Sequence, residues 1–209
     1  MTRIKFCGIR REEDVGYVNL VRPDYAGFVL APGFRRTVSA QEAGRLSSLL
    51  DEGIVPVGVF VDEPPENVAR LLEDGTISIA QLHGMEDEEY LSRLRDLTSG
   101  TLMKCFRVSS RGDVEAASCC SADLVMLDSG TGTGKAFDWS LAEGLGRDFF
   151  LAGGLDPSNV GEAIKRMHPT AVDTSSGIET DGFKDYEKME AFVKAVRSAD
   201  GDDDKRTSL

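Results

Sequence analysis

The chain reads as an α/β protein folded as a single-domain (β/α)8 barrel with a short fifth helix. Three features predict this. Strand-like apolar runs alternate with polar-apolar stretches of helical spacing from end to end, the pattern of parallel strands joined by crossovers. Several runs are almost wholly apolar, as expected of strands covered on both faces. Eight such runs fit into 209 residues, a length that favours one domain and lies near the short limit for a closed barrel. The runner-up, an open doubly wound sheet, usually carries a dinucleotide fingerprint after its first strand, and Cys7-Gly8-Ile9-Arg10 is not one.

Taken in order, the strands are expected at 3–7, 25–30, 55–61, 77–82, 102–106, 123–128, 149–152 and 170–174. The clearest helices lie at 40–51, 66–73, 87–97 and 160–167, with a closing helix at 184–197. The stretch 109–121 has the weakest helical pattern, hence the short fifth helix. The barrel is expected to occupy 1–198, and the acidic segment 199–209, ending GDDDKRTSL, to be a disordered tail.

Composition narrows the function. A net charge of -12 disfavours a nucleic-acid surface, which needs a basic face. An anionic small molecule would need a locally positive pocket inside that acidic shell. No apolar run approaches a membrane span, and MTRIKFCGIR lacks a signal-peptide core, so a cytoplasmic protein is expected. Cys7, Cys105, Cys119 and Cys120 match no zinc spacing or disulfide framework, so free thiols and no metal are expected.

Candidate site residues gather where strands end. Strand one stops at Cys7-Gly8, strand four at Gln81-Leu82-His83-Gly84, strand six at Asp128 and strand eight at Asp173, while strand two runs toward Arg35 and Arg36. In a barrel these ends share the C-terminal rim, where catalytic groups sit. Gly153-Gly154, before Asp156-Pro157-Ser158-Asn159, and Ser175-Ser176-Gly177, just after Asp173, look like two halves of one phosphate cup, because glycine turns and hydroxyls offer donors to an anion. Period-two alternation puts Lys5 on the face of Cys7, one layer deeper. A lysine there needs a carboxylate partner, and Asp173 on the neighbouring strand eight is the expected one. The loop SGTGTGK at 129–135 departs from the nucleotide-loop pattern at Ser129 and Ala136 and is read as a glycine-hinged lid.

Together these blocks resemble phosphoribosylanthranilate isomerase of tryptophan biosynthesis. They are KFCGIR at 5–10, GFVL at 27–30 with Arg36 downstream, VGVFV at 57–61, QLHG at 81–84, GTGKAFDW at 132–139, LAGGLDPSNV at 151–160 and VDTSSGIE at 172–179. The resemblance implies a (β/α)8 barrel without metal or organic cofactor that converts an aminoaldose, N-(5-phosphoribosyl)anthranilate, to the aminoketose by an Amadori rearrangement. It implies Asp128 as general acid, Cys7 as general base, and Arg36 on the anthranilate carboxylate, with Arg35 the alternative. Gly153, Gly154, Ser175 and Ser176 would hold the phosphate. His83 and Asp173 join the candidate substrate contacts, His83 either as a rim hydrogen-bond donor or as a substrate neighbour. The partner is then a phosphorylated small molecule, the protein itself being a monomer or homodimer. Two rivals stay open: the analogous isomerase of histidine biosynthesis, which normally has an aspartate at the place of Cys7, and a non-catalytic phosphate-ligand sensor.

Overall fold

A computed structural model describes residues 1–128, 139–142 and 145–207 of the chain. Eight parallel strands close in sequence order, from β1 (Arg3–Cys7) through β2 (Tyr25–Val29), β3 (Val55–Phe60), β4 (Ile79–Leu82), β5 (Thr101–Arg107), β6 (Leu124–Asp128) and β7 (Phe150–Ala152) to β8 (Ala171–Thr174). The ring closes through β1 and β8, with Lys5 opposite Asp173 in register. The open-sheet alternative is thereby excluded.

The alternation read from the sequence is the alternation of the barrel wall. On β1, Ile4 and Phe6 face outward into the sheath between strands and helices, and Phe6 meets Phe192 edge-on at 5.8 Å between ring centroids. Lys5 and Cys7 take the opposite face, and both are buried. Tyr25, Val57, Met103, Met126 and Phe150 pack together inside the barrel. They make a solid floor, so any ligand must enter from a rim.

The helices start where local chemistry allows. Ser39 caps α2 (Ala40–Ser47) by accepting from the Glu42 N–H at 3.1 Å, and Asp87 caps α4 (Glu88–Leu97) through the Tyr90 N–H at 2.9 Å. Pro65 opens α3 (Pro65–Glu73), a place where its missing N–H costs nothing. Asp113 ties the entry of α5 (Arg111–Cys119) through the Ser110 N–H. That fifth helix is short, at nine residues, and no shorter than α2 or α6 (Val160–Met167). The more reduced connection follows β6, where the described residues form only a 3-10 turn, Trp139–Ala142. The expected lid at 129–135 lies outside the described residues.

One helix lies outside the sequence expectations, and two expectations need correction. Helix α1 (Glu12–Val21) has no clear counterpart in the apolar spacing, because Leu20 is exposed while Val15 and Val18 are buried. Lys184 does not open the closing helix: it ends a two-stranded hairpin of β9 (Glu179–Thr180) and β10 (Phe183–Lys184), turned by Asp181 and Gly182 at φ of 50° and 83°. The closing helix α7 (Tyr186–Thr207) also continues past residue 198. Ala199 is buried, and the Asp200 carboxylate accepts from the Thr2 N–H at 3.0 Å and the Thr2 hydroxyl at 2.7 Å. No described helix is long and apolar enough to cross a membrane.

Candidate active site

At the C-terminal rim a cavity of about 670 Å³ opens, lined by Cys7, Arg36, His83, Asp128, Gly153, Gly154, Asp173, Ser175 and Ser176. Every site residue expected from the sequence therefore faces one space. Arg35, Gln81, Arg107 and Thr174 line it as well. Gln81 and Arg107 come from the same inward faces as His83 and Cys105, so period two could have found them.

The thiol sits above a charged floor. Lys5 is fully buried and its ammonium donates to Asp173 Oδ1 at 2.7 Å, the pair expected from neighbouring strands. Burial alone would pull the Lys5 pKa down, but the Asp173 and Cys7 charges outweigh it and the net shift is upward. Gly27 faces this pair: a Cβ there would lie 3.0 Å from both Cys7 Sγ and Lys5 Nζ. The two atoms are thus within twice that distance, 6.0 Å, of each other. Burial pushes the Cys7 pKa up, against the pull of Lys5 and of a second ammonium, Lys184. The positive surroundings expected for Cys7 are present, yet desolvation wins and the resting group is a thiol.

Lys184 was not expected, and it joins the thiol to the cup. Its ammonium is buried and donates to Ser175 O at 2.9 Å and Glu179 Oε1 at 3.0 Å, while the Ser175 hydroxyl donates to Cys7 O at 2.9 Å. Burial lowers the Lys184 pKa, with Glu179 opposing. The hairpin carrying both was legible in principle, since Asp-Gly between short strand-like runs is the strongest local hairpin signal.

Arg36 does not project unpaired. Its Nε and Nη2 donate to Glu179 at 2.6 and 2.9 Å, and Arg35 reaches the same carboxylate at 2.5 Å. Burial works against the Glu179 charge, but Arg36 and Lys184 draw its pKa down to about 2. Arg36 is the less exposed of the two arginines. Across the cavity, His83 Nε2 stands 3.1 Å from Asp128 Oδ2, so His83 is first of all the neighbour of Asp128.

The cup rests on backbone geometry. Gly153 and Gly154 have φ of 97° and 67°, conformations open to glycine and strained for other residues. Asn159 fastens this turn, donating to Gly154 O at 2.8 Å and accepting from the Asp156 N–H at 2.9 Å. On the facing loop a Cβ at Gly177 would fall 2.1 Å from Leu155 O. The two loops are in contact through a position that tolerates only hydrogen.

A closed barrel with a thiol, a carboxyl group and a glycine-serine cup around one rim cavity has the build of a (β/α)8 enzyme acting on a small molecule. Comparison with known proteins narrows that class. The family model for N-(5'phosphoribosyl)anthranilate (PRA) isomerase matches residues 4–195. The N-(5'-phosphoribosyl)anthranilate isomerase of Endomicrobium trichonymphae is 45% identical over 203 residues, covering 95% of this chain and 100% of the relative. The crystal structure of phosphoribosyl anthranilate isomerase from Thermotoga maritima superposes with a TM-score of 0.86 at 35% identity, covering 95% of this chain and 100% of that one. A further structure of the enzyme, in complex with reduced 1-(o-carboxyphenylamino)-1-deoxyribulose 5-phosphate, superposes at 0.84 with 34% identity and the same coverage. The chain belongs to the N-(5'-phosphoribosyl)anthranilate isomerase family and is an isomerase.

Proposed function

We propose that this protein converts N-(5'-phosphoribosyl)anthranilate to 1-(2-carboxyphenylamino)-1-deoxyribulose 5-phosphate in tryptophan biosynthesis, with Asp128 as general acid and Cys7 as general base. The observation that carries the residue assignment is that both groups line one cavity with the glycine-serine cup. The phosphate sits in the cup between Gly153-Gly154 and Ser175-Ser176, which fixes the ribose between thiol and carboxyl group. Asp128 gives its proton to the ring oxygen, the C1–O bond breaks, and the nitrogen lone pair forms an iminium. Cys7 then removes the C2 proton, and the electrons of that bond flow to the iminium nitrogen, leaving an enolamine that tautomerises to the ketone.

The charged floor suits this order of events. At rest Cys7 is a thiol held up by burial. The iminium cation formed beside it adds to the pull of Lys5 and Lys184, so the thiolate is favoured only once the ring has opened. His83, next to Asp128, holds the carboxyl group in place. Arg36 binds the anthranilate carboxylate from the edge that Glu179 leaves open, while Asp173 contacts another part of the substrate from the floor. Four free thiols suit a reducing, cytoplasmic setting. The Thermotoga maritima relative is described as dimeric, and a homodimer is the assembly proposed here.

Cys7→Ala and Asp128→Asn test the assignment. Each is expected to lower kcat by roughly 10²–10⁴-fold while binding of the reduced product analogue stays within a few-fold of wild type. Near-normal turnover by either variant removes that residue from the mechanism. Parallel assay of the histidine-pathway aminoaldose separates the two isomerase readings.

A further inference from the structure

One buried nucleophile has no part in the rearrangement. Cys105 lies inside the barrel on β5, only 4% exposed, between the strands that deliver His83 and Asp128. One ligand atom from each of His83, Cys105 and Asp128 lies within 4.8 Å of the other two, and the His83 and Asp128 atoms are already 3.1 Å apart. We propose that these three side chains form an inhibitory site for a soft divalent cation of the zinc type.

The donor set selects the ion. Imidazole, thiolate and carboxylate together suit zinc or cadmium, whereas magnesium and calcium take all-oxygen shells. Bond lengths of about 2.0–2.3 Å place tetrahedral ligands roughly 3.3–3.7 Å apart. The widest separation therefore has to close by about 1 Å, within reach of small side-chain rotations. Three protein ligands leave a fourth position for water, as in zinc sites that stay open on one side. His83 and Asp128 line the cavity, so the ion enters through the substrate's own mouth. On binding, the sulfur–metal bond forms and the thiol proton passes to water. The Asp128 proton passes to water as well, the metal holds the group as a carboxylate, and no proton is left there for ring opening. This inhibition rests on the reading of Asp128 as the acid. The site itself does not. Positions 83, 105 and 128 match no zinc spacing along the chain, because the ligands come from three consecutive parallel strands and meet only where those strands lie side by side.

The test uses metal-free full-length protein and zinc chloride. Equilibrium dialysis should give one tight zinc per chain, and a zinc-soaked crystal should show anomalous density between the three residues. Turnover should fall with zinc, less so at high substrate, and return with EDTA. Cys105→Ala should keep uninhibited turnover but lose roughly 100-fold or more in zinc affinity, since even an outer-shell partner costs 10–100-fold; Cys119→Ala should behave as wild type. Equal zinc affinity in Cys105→Ala, or density on Cys7 or the outer surface, overturns the site. Zinc seated at the three residues with turnover unaffected upholds the metal site, overturns its inhibitory role and overturns Asp128 as the acid.

Discussion

Removing the ammonium under the thiol should damage stability and catalysis by separate routes. In Lys5→Met the Asp173 carboxylate loses a partner at 2.7 Å in a setting where Lys5 is wholly inaccessible and Asp173 only 12% exposed along its side chain. Breaking a buried pair from one side costs about 3–5 kcal/mol, which for a chain of this size lowers Tm by roughly 10 °C. The catalytic loss comes from Cys7. At the 6.0 Å limit set by Gly27 and an effective dielectric of about 20, the ammonium favours the thiolate by about 2.8 kcal/mol, roughly a hundredfold in thiolate population. Lys5→Met should therefore lose about two orders of magnitude in kcat at neutral pH and regain part of it as pH rises. The double variant Lys5→Met, Asp173→Leu separates the routes, since replacing both charges with apolar groups is often near neutral for stability. It should recover most of the Tm and none of the Lys5-dependent rate. Thermal melts and steady-state kinetics on the three proteins decide the matter. If Lys5→Met keeps kcat within threefold of wild type, the ammonium has no role in activating the thiol; if the double variant recovers rate along with Tm, the single variant failed only through misfolding.

Other perturbations report on the hairpin, the cup and the termini. Glu179 has a pKa of about 2 in the fold and near 4.5 when unfolded, so its stabilisation is complete above pH 4.5 and is lost as pH falls from there toward 2. The contribution is at most about 3 kcal/mol, and Glu179→Gln should flatten the acid limb of a denaturation-against-pH curve. The same variant leaves Arg36 only one of its two acceptors and removes the charge that holds it, and it should raise KM roughly tenfold or more with a smaller change in kcat; an unchanged KM argues against Arg36 as the carboxylate contact. Gly177→Ala forces a Cβ to 2.1 Å from Leu155 O and should weaken inhibition by inorganic phosphate, whereas intact phosphate affinity would place the anion elsewhere. Ending the chain at residue 198 removes the Asp200 bonds to Thr2 and the packing of Ala199. About 2 kcal/mol should be lost, while ending it at 201 keeps both; equal melting of the two truncations would show that these contacts are idle.

What the sequence revealed follows from which signals are periodic. Covered parallel strands are apolar and bounded, so all eight were legible to within two residues at each end. Cys7 and Asp128 followed from strand ends, and period two then put Lys5 on the face of Cys7. Helix α1 escaped because its stabilisation comes from two buried valines and a network around Asp14, which accepts from the backbone of Arg10 and Arg11, and neither leaves a stripe. The hairpin of β9 and β10 escaped for the opposite reason. Its Asp181-Gly182 signal is local and clear, but strands of two residues lie below the length at which alternation can be read.

That hairpin carries the part of the site least visible from composition. An acidic chain acting on a substrate with both a phosphate and a carboxylate must concentrate positive charge at one place, and it does so by pairing. Arg35, Arg36 and Lys184 converge on the single carboxylate of Glu179, so the cluster keeps a net positive charge without leaving three cations to repel one another. Each member looks like surface charge in the sequence, and Lys184 looks like the start of a helix. Their common function exists only after β8 has led into the 3-10 turn Ser176–Ile178 and the chain has doubled back through Gly182. The thiol and the carboxyl group could be named from strand ends, whereas the positive cluster at the same rim depends on a fold-back of six residues.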